Sequence, residues 1–247
     1  MRTIGIIQAR MGSSRLPGKV AMPLSSVSSL ERVVRRLRRA TLLDDVVVAT
    51  SDHRRDDAVV RIASAAGATV FRGSELDVLR RYADAAQAHR ADVVVRITAD
   101  CPLIDPQIVD AVVGAMRTAG ADYASNVMRR HLPRGLDVEA VTSRALYFAD
   151  ALANEPADRE HVTRYIISRP RAFLLRSIVI DTPRGGLQDE RWTLDTSADY
   201  EFLSRVFVKL GERGDREDRA GFREVLALVD GNPELRQLNA HIQQKVA

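Results

Sequence analysis

Four short, nearly continuous apolar runs punctuate the first hundred residues, and they restrict the fold more than any other feature. They are TIGIIQ (3–8), DVVVAT (45–50), ATVFR (68–72) and DVVVRIT (92–98). A strand with one wet face alternates apolar and polar residues, so runs this uniform suit strands buried on both faces. Between them, Leu30, Val33, Val34 and Leu37 recur at helical spacing. Segments 54–66 and 75–89 also read as helices, the second with Ser74 as its N-cap. Strand–helix–strand alternation predicts an α/β fold, a mostly parallel sheet covered by helices on both faces. The arginines at 32, 35, 36, 38 and 39 read most simply as a solvated face of the first helix.

The later part mixes the two patterns. DYASNV (122–127) and LDVEAV (136–141) read as strands around the loop MRRHLPRG, and 143–153 and 159–169 as helices. Strands follow at 173–180 and at WTLD (192–195), then helices at about 197–211 and 219–229. A last helix is expected after Asn232-Pro233, where proline suits a first turn. No repeat or low-complexity linker divides the chain. Residues 1–247 therefore read as one domain with a small lobe appended from about 122–190.

A chain of 247 residues can bury a large core, and 45% hydrophobic with 28% charged is ordinary globular composition. The net charge is only +4 and aromatics are 5%, whereas nucleic-acid surfaces interleave basic patches with aromatic residues. No nucleic-acid partner is expected. Cys101 is the single cysteine, which excludes an internal disulfide and suits a reducing cytoplasm. No apolar run approaches the roughly eighteen residues of a membrane span. Gly12-Ser13-Ser14-Arg15 breaks the N-terminal apolar run too early for a secretory signal. A cytoplasmic protein with no membrane partner is the expectation.

In an open parallel sheet, ligands lie beyond the carboxyl ends of the strands. Gln8, Arg10, Arg15 and Lys19 follow the first run, and Thr50, Ser51 and Asp52 the second. Arg72, Gly73 and Ser74 follow the third, and TADCP, with Asp100, the fourth. The first loop matches neither GxxxxGK[ST] nor GxGxxG. Its small residues nevertheless allow close backbone approach, and its three cations can neutralise an oligophosphate. An ordinary solvated loop is the competing reading.

Asp100 stands where a hard oxygen ligand for Mg²⁺ is useful beside phosphates. Asp195 is either a second such carboxylate or a capping residue of the next helix. The five histidines are scattered and Cys101 has no partner cysteine, so a His/Cys metal cluster is unsupported. Asp137 and Glu139 lie two apart on an expected strand and so share a face. They hold the hydroxyls of a polar substrate, with Arg134 meeting a carboxylate, or they form a plain polar face. His161 is a candidate base, although a lone histidine is more often structural.

Taken together, QARMGSSRLPGK, VVATSD, FRGSELDVLRRY, RITADCPLID, RGLDVE, DREHVTRYI and WTLDTSADY resemble the spore-coat-polysaccharide type of the cytidylyltransferase family. These are relatives of the acylneuraminate and 3-deoxy-manno-octulosonate cytidylyltransferases. The resemblance runs nearly end to end, into the tail NPELRQLNAHIQQK. It implies a Rossmann-like, three-layer α/β/α sheet of the glycosyltransferase-A and nucleotidyltransferase type, with a lobe for dimerisation and sugar binding. It also implies transfer of CMP from CTP to an acidic 2-keto sugar of nonulosonic or octulosonic type. Mg²⁺ is the implied cofactor, pyrophosphate the released product, a homodimer the assembly and surface polysaccharide synthesis the context.

By matched motif, Arg10, Arg15 and Lys19 would meet the triphosphate and, with Asp100, carry catalysis. The implied nucleotide site adds Gln8, Ala9, Gly12, Ser13, Thr50, Ser51, Asp52, Arg72 and Ser74. Of these, Thr50, Ser51, Arg72 and Ser74 would surround base and ribose. Asp100 and Asp195 would hold the metal, and Arg134, Asp137, Glu139 and His161 would face the sugar. One departure stands out: where the family usually carries Gly-Lys-Pro before the first helix, this chain has SSVSSL (25–30). That departure motivates a second reading, a catalytically silent nucleotide-binding homologue. A third is a nucleotide-sugar-dependent glycosyltransferase of the same fold class. Such enzymes typically carry Asp-x-Asp, whereas Thr98-Ala99-Asp100 has a single aspartate.

Overall fold

The computed structural model describes residues 1–212, 214 and 217–243, so Gln244 and Lys245 of the tail motif lie outside it. The chain opens with β1 (Thr3–Gln8), and a loop leads to a hairpin of β2 (Pro23–Leu24) and β3 (Val27–Ser28). Then come α1 (Ser29–Leu37), β4 (Asp45–Ser51), α2 (Asp57–Ala65), β5 (Thr69–Gly73) and α3 (Val78–Ala88). Next are β6 (Val93–Thr98), α4 (Pro106–Ala119), β7 (Tyr123–Ser125), β8 (Glu139–Thr142) and α5 (Ser143–Leu152). Short helices α6 (Pro156–Glu160) and α7 (Arg164–Ile167) precede β9 (Leu175–Ser177). Helices α8 (Ser197–Gly211), α9 (Phe222–Asp230) and α10 (Pro233–Gln237) follow.

The main sheet has the order β5-β4-β1-β6-β8-β7-β9. Its first four members are parallel, and β8 runs antiparallel to both β6 and β7. Alternate residues of the apolar runs enter separate cores. Ile4, Ile6, Val47, Ala49 and Val94 pack with α3 and α5. Ile7, Val46, Val48, Val93, Val95 and Ile97 pack with α1, α2, α4 and α8. Burial on both faces is why the first, second and fourth runs carry no polar alternation, whereas β5, from the third, is the edge strand and has no fully buried residue.

Register brings the carboxyl ends level. Gln8 pairs with Ala49 on one side and Thr98 on the other, and Ser51 pairs with Gly73. From β1 the chain moves outward to β4 and β5, then crosses back to β6. The direction of winding therefore reverses between β1 and β6, and a crevice opens beyond their ends.

Several expected elements differ. WTLD is an extended segment outside the sheet, because Trp192 and Leu194 donate to the Arg134 and Asp100 carbonyls of neighbouring loops. The strand expected at 136–141 begins only at Glu139. Before it, the Asn126 side chain replaces a ladder partner by bonding the Leu136 carbonyl (2.7 Å) and the Val138 amide (2.9 Å). The helix expected at 159–169 breaks around Val162-Thr163, where the Thr163 hydroxyl turns to Glu139. Asp77, not Ser74, caps α3. Helix α4 is absent from the expected elements, although Asp105-Pro106 opens it and the Asp105 carboxylate caps α9 as well, through the Phe222 amide.

The SSVSSL segment forms the hairpin turn and the start of α1. Ser25 adopts a left-handed φ of 60°, the conformation that a glycine would supply more readily. Ser28 caps α1 by accepting from the Glu31 amide.

The arginine run is a solvated face only in part: Arg35, Arg38 and Arg39 are exposed, but two of its members turn inward. Arg32 and Arg36, one helical turn apart, are fully buried. Arg32 bonds the Leu24 carbonyl, Glu217 and Asp218, with its guanidinium 4.6 Å from the Phe207 ring centroid. Arg36 donates to the carbonyls of Ile104 (2.8 Å) and Ala220 (2.6 Å), and burial lowers its pKa to about 10. The Ile104 and Ala220 carbonyls belong to irregular loops with no ladder partner, which is why Arg36 turns inward. Arg36→Ala should cost about 3 kcal/mol in urea unfolding, since it orphans buried carbonyls. Arg35→Ala, on the exposed side of the same helix, should cost less than about 1 kcal/mol.

Candidate active site

The loop after β1 is folded tightly on itself. The Met11 carbonyl accepts from the Ser13 and Gly18 amides, and Asp56, at the start of α2, accepts from the Met11 amide at 2.7 Å. Gly18 at φ 72° reverses the chain into a single helical turn that starts at Lys19. That turn aims Lys19 across the ends of β1 and β6.

There the Lys19 ammonium meets Asp100 Oδ2 at 2.6 Å and Asp195 Oδ1 at 2.8 Å. Arg15 pairs with the same Asp195 oxygen at 2.9 Å, and Thr98 donates to Asp100 Oδ1 at 2.6 Å. Burial pushes the Asp100 carboxyl up, but Lys19 and Thr98 outweigh it and hold the group below its usual range. Burial disfavours the Lys19 ammonium too, yet Asp100 and Asp195 raise its pKa above the ordinary lysine value.

A cleft of about 260 Å³ opens on this knot, lined by Gln8, Arg10, Gly12, Ser13, Arg15, Lys19, Asp100 and Asp195 among others. Arg10 is exposed at the cleft and makes no ion pair among the described residues. Two carboxylates converging on one cation fit a Mg²⁺ ion, which takes one or two protein carboxylates and completes its shell with phosphate and water. Among the described residues, no group of three or more His, Cys, Asp or Glu forms a protein-only metal cage.

The other expected site residues lie outside the cleft lining. Ala9 is buried and bonds the Ala49 carbonyl. Thr50 and Ser51 are buried at the end of β4, and the Ser51 hydroxyl binds Asp56. Asp52 and Ser74 are exposed along the same rim; Ser74 accepts from the Asp77 amide. Arg72 bonds the Ser51 and His53 carbonyls and Asp57. Asp137 takes a bidentate contact from Arg130 at 2.7 and 2.8 Å.

Glu139 does not share a strand face with Asp137. It is buried, with Oε1 accepting from Tyr123 and Thr163 and Oε2 from Arg96. Burial works against its charge, but Arg96 and the two hydroxyls lower its pKa. Arg134 is half-buried and without a side-chain partner among the described residues, and its pKa is lowered by burial and by nearby Arg130. His161 ends α6, half-buried. Cys101 is buried, and burial and adjacent Asp100 push its thiol well above its usual range.

Sequence reasoning passes over Asp56, Thr98, Arg191 and Asp199. Arg191 pairs with both Asp195 and Asp199 from behind the cleft. The four- and eight-residue spacings in ERWTLDTSADY were the available signal for that pair. Gly135 has its own constraint: a Cβ there would lie 2.5 Å from the Trp192 carbonyl oxygen, so glycine lets the 190–195 segment pass close to Arg134.

Comparison with known proteins gives one consistent picture. The profile of a family described as cytidylyltransferase matches residues 4–240. The chain is 37% identical over 235 residues to the spore coat polysaccharide biosynthesis protein SpsF of Bacillus subtilis, covering 93% of this chain and 94% of that one. It is 36% identical over 175 residues to a 3-deoxy-manno-octulosonate cytidylyltransferase of Anaeromyxobacter dehalogenans, covering 65% and 71% respectively. A solved cytidylyltransferase from Leptospira borgpetersenii superposes with a TM-score of 0.88 at 32% identity, covering 100% of this chain and 99% of that one.

Removing the central cation tests the knot. Lys19→Met should destabilise the protein by about 2 kcal/mol at neutral pH, because two largely buried carboxylates then face each other. In the wild type, the Asp100 contribution is complete above the ordinary carboxyl range and fades as pH falls through its lowered folded pKa. The Lys19 contribution is complete below the ordinary lysine pKa and fades only as pH rises through its raised value. In Lys19→Met, by contrast, Asp100 takes up a proton more readily, so the deficit should shrink as pH falls toward the carboxyl range. Urea titrations of both proteins across pH measure this; a deficit that grows on acidification would contradict it.

Proposed function

The chain belongs to the cytidylyltransferase family and is a nucleotidyltransferase, and from that premise we propose that it transfers CMP from CTP to a hydroxyl of an acidic sugar. Pyrophosphate leaves, Mg²⁺ assists, and the product serves surface polysaccharide synthesis. The observation that carries the proposal is the knot of Arg15, Lys19, Asp100 and Asp195 at the switch point, with unpaired Arg10 beside it.

In this reading the sugar hydroxyl gives up its proton to solvent as its oxygen attacks the α-phosphorus, and the bond to the bridging oxygen of pyrophosphate breaks. Arg10, Arg15 and Lys19 hold the leaving phosphates as they gain charge, while the backbone around Gly12 and Ser13 approaches the phosphate chain closely. The exposed edge at Asp52, Arg72 and Ser74 flanks base and ribose, and buried Ala9, Thr50 and Ser51 shape its floor. Asp100 and Asp195 would hold Mg²⁺, which when bound neutralises charge on the phosphate oxygens. Catalysis here is alignment and electrostatics, so a protein nucleophile is unnecessary.

Arg134 receives the sugar carboxylate, since a half-buried guanidinium without a side-chain partner among the described residues suits a bidentate anion. Asp137, fixed by Arg130, accepts a sugar hydroxyl, and His161 borders the same lobe. Glu139 acts indirectly by fixing Arg96, whose guanidinium also approaches Gln8.

The lobe from about 122 to 190 also supports a homodimer in our reading. Tyr147, Phe148 and Leu152 of α5 and Leu174 before edge strand β9 are exposed apolar side chains, and Phe148 stacks edge-on against Phe173. No helix among the described residues is long and apolar enough to cross a membrane. We assign the reaction to the cytoplasm, in keeping with the unpaired, buried Cys101.

Pyrophosphate release from CTP, Mg²⁺ and a panel of 2-keto acidic sugars tests the activity. Turnover should occur with at least one sugar, and Asp100→Asn should reduce it by about a hundredfold or more. Arg134→Ala should raise KM for the sugar about tenfold and leave KM for CTP unchanged. Absence of CTP binding and turnover with every sugar would defeat the proposal, and sugar transfer from a nucleotide-sugar without pyrophosphate would replace it. Sedimentation should give a dimer that Phe148→Asp converts to a monomer; a monomeric wild type would remove that part.

A further inference from the structure

Asp195 is braced from behind by a buried hydrogen-bond chain that ends in the segment after α10. Arg191 Nη2 lies 3.3 Å from Asp195 Oδ2 and 3.1 Å from Asp199 Oδ2, and Arg191 Nε lies 3.2 Å from Asp199 Oδ1. Asp199 is fully buried. Its Oδ2 also accepts from the Asp195 amide (3.1 Å), the Thr196 amide (3.0 Å) and the Thr196 hydroxyl (3.0 Å). The chain closes on Asn239, which is 4% exposed. Asn239 Nδ2 donates to Asp199 Oδ1 at 3.0 Å and to the Arg191 carbonyl at 2.8 Å.

An amide nitrogen has two hydrogens, and here both are used on groups that determine where Asp195 points. One neutralises part of the Asp199 charge, and the other fixes the backbone of the residue that pairs with Asp195. The 191–195 segment has no ladder of its own. Its backbone amides bond the Arg134 carbonyl through Trp192, the Asp100 carbonyl through Leu194 and the Asp199 carboxylate through Asp195. A loss at Asn239 is therefore felt in this segment before it is felt in α8, whose own helical ladder holds it.

We propose that Asn239 is a positioning residue for the transfer reaction. It locks Asp199 and Arg191 so that Asp195 presents Oδ1 to Lys19 and Arg15. The proposal rests on the reading of the cleft as the nucleotide site. It brings the segment after α10 into the working architecture of that site, although Asn239 does not line the cleft.

Donation and packing make opposite forecasts for two variants. Asn239→Asp nearly preserves shape but sets carboxylate oxygens against Asp199 and the Arg191 carbonyl. Asn239→Ala removes the donors without adding repulsion. If donation matters, Asp is the worse replacement; if only packing matters, it is the better one.

The wild type and both variants are compared in pyrophosphate release and in amide hydrogen exchange of the 190–196 segment. For Asn239→Ala, kcat should fall about tenfold with KM for CTP little changed, and it should fall further for Asn239→Asp. Exchange across 190–196 should quicken in both variants while the centre of α8 keeps wild-type protection. Wild-type kcat in Asn239→Ala, unaltered exchange in 190–196, or an aspartate variant better than the alanine one would overturn the proposal. If Asn239→Asp does not fold, the alanine variant and its exchange pattern decide alone. A wild-type chain that releases no pyrophosphate defeats the nucleotide reading instead, and exchange still reports whether Asn239 holds the segment.

Discussion

The architecture of the cleft depends on one ammonium group placed between two carboxylates. Lys19 comes from the loop after β1, Asp100 from the end of β6, and Asp195 from the segment before α8. Three stretches far apart in sequence are thus drawn to one point at the switch in strand order. Lys19 is the one cation that Asp100 meets among the described residues, whereas Asp195 also pairs with Arg15 and Arg191. The same arrangement that stabilises the ligand-free protein gathers the groups that the proposed chemistry needs. Phosphate oxygens and a divalent ion would meet charges already in register.

Arginine plays two separate roles in this chain. Arg32, Arg36, Arg96, Arg159 and Arg191 are internal ties that satisfy carbonyls and carboxylates between loops and helices. A guanidinium suits that work because its planar donors point in several directions at once and it stays charged when buried. Arg10 and Arg134 also lack side-chain partners among the described residues, as several exposed arginines do, but Arg10 stands on the cleft and Arg134 is half-buried. The modest net charge of +4 thus conceals a local surplus. Counting basic residues points to no site; an unpaired cation matters where it stands on the cleft, as Arg10 does.

Much of the fold was legible because a few residues carry strong local signals. The doubly buried strands declared themselves through unbroken apolar runs, and α8 was expected at about 197–211, although its cap is Thr196, in a capping box with Asp199, and not Asp195. Elements that depend on distant side chains were not legible. Asn126 substitutes for a strand partner ahead of β8, and Thr163 abandons a helix to bond Glu139. WTLD has the composition of a strand, but its partners are loop carbonyls. Helix α4 was readable from Asp105-Pro106 and its periodic valines, although it is missing from the expected elements. In the first helix, alternating arginines carried no mark of which ones turn inward, since that depends on carbonyls around 104 and 217–220.

The sequence by itself determined the α/β layering, the rim of polar strand ends and the residues Arg10, Arg15, Lys19, Asp100 and Asp195, because these follow from periodicity and from motifs local to each segment. Only the tertiary structure decided which of those residues meet. It joined Lys19 to both aspartates, left Thr50, Ser51 and Glu139 buried, and set Arg191, Asp199 and Asn239 behind Asp195. The reason is physical: whether a charged group is paired, buried or open depends on neighbours brought close by chain topology, and no local pattern contains them.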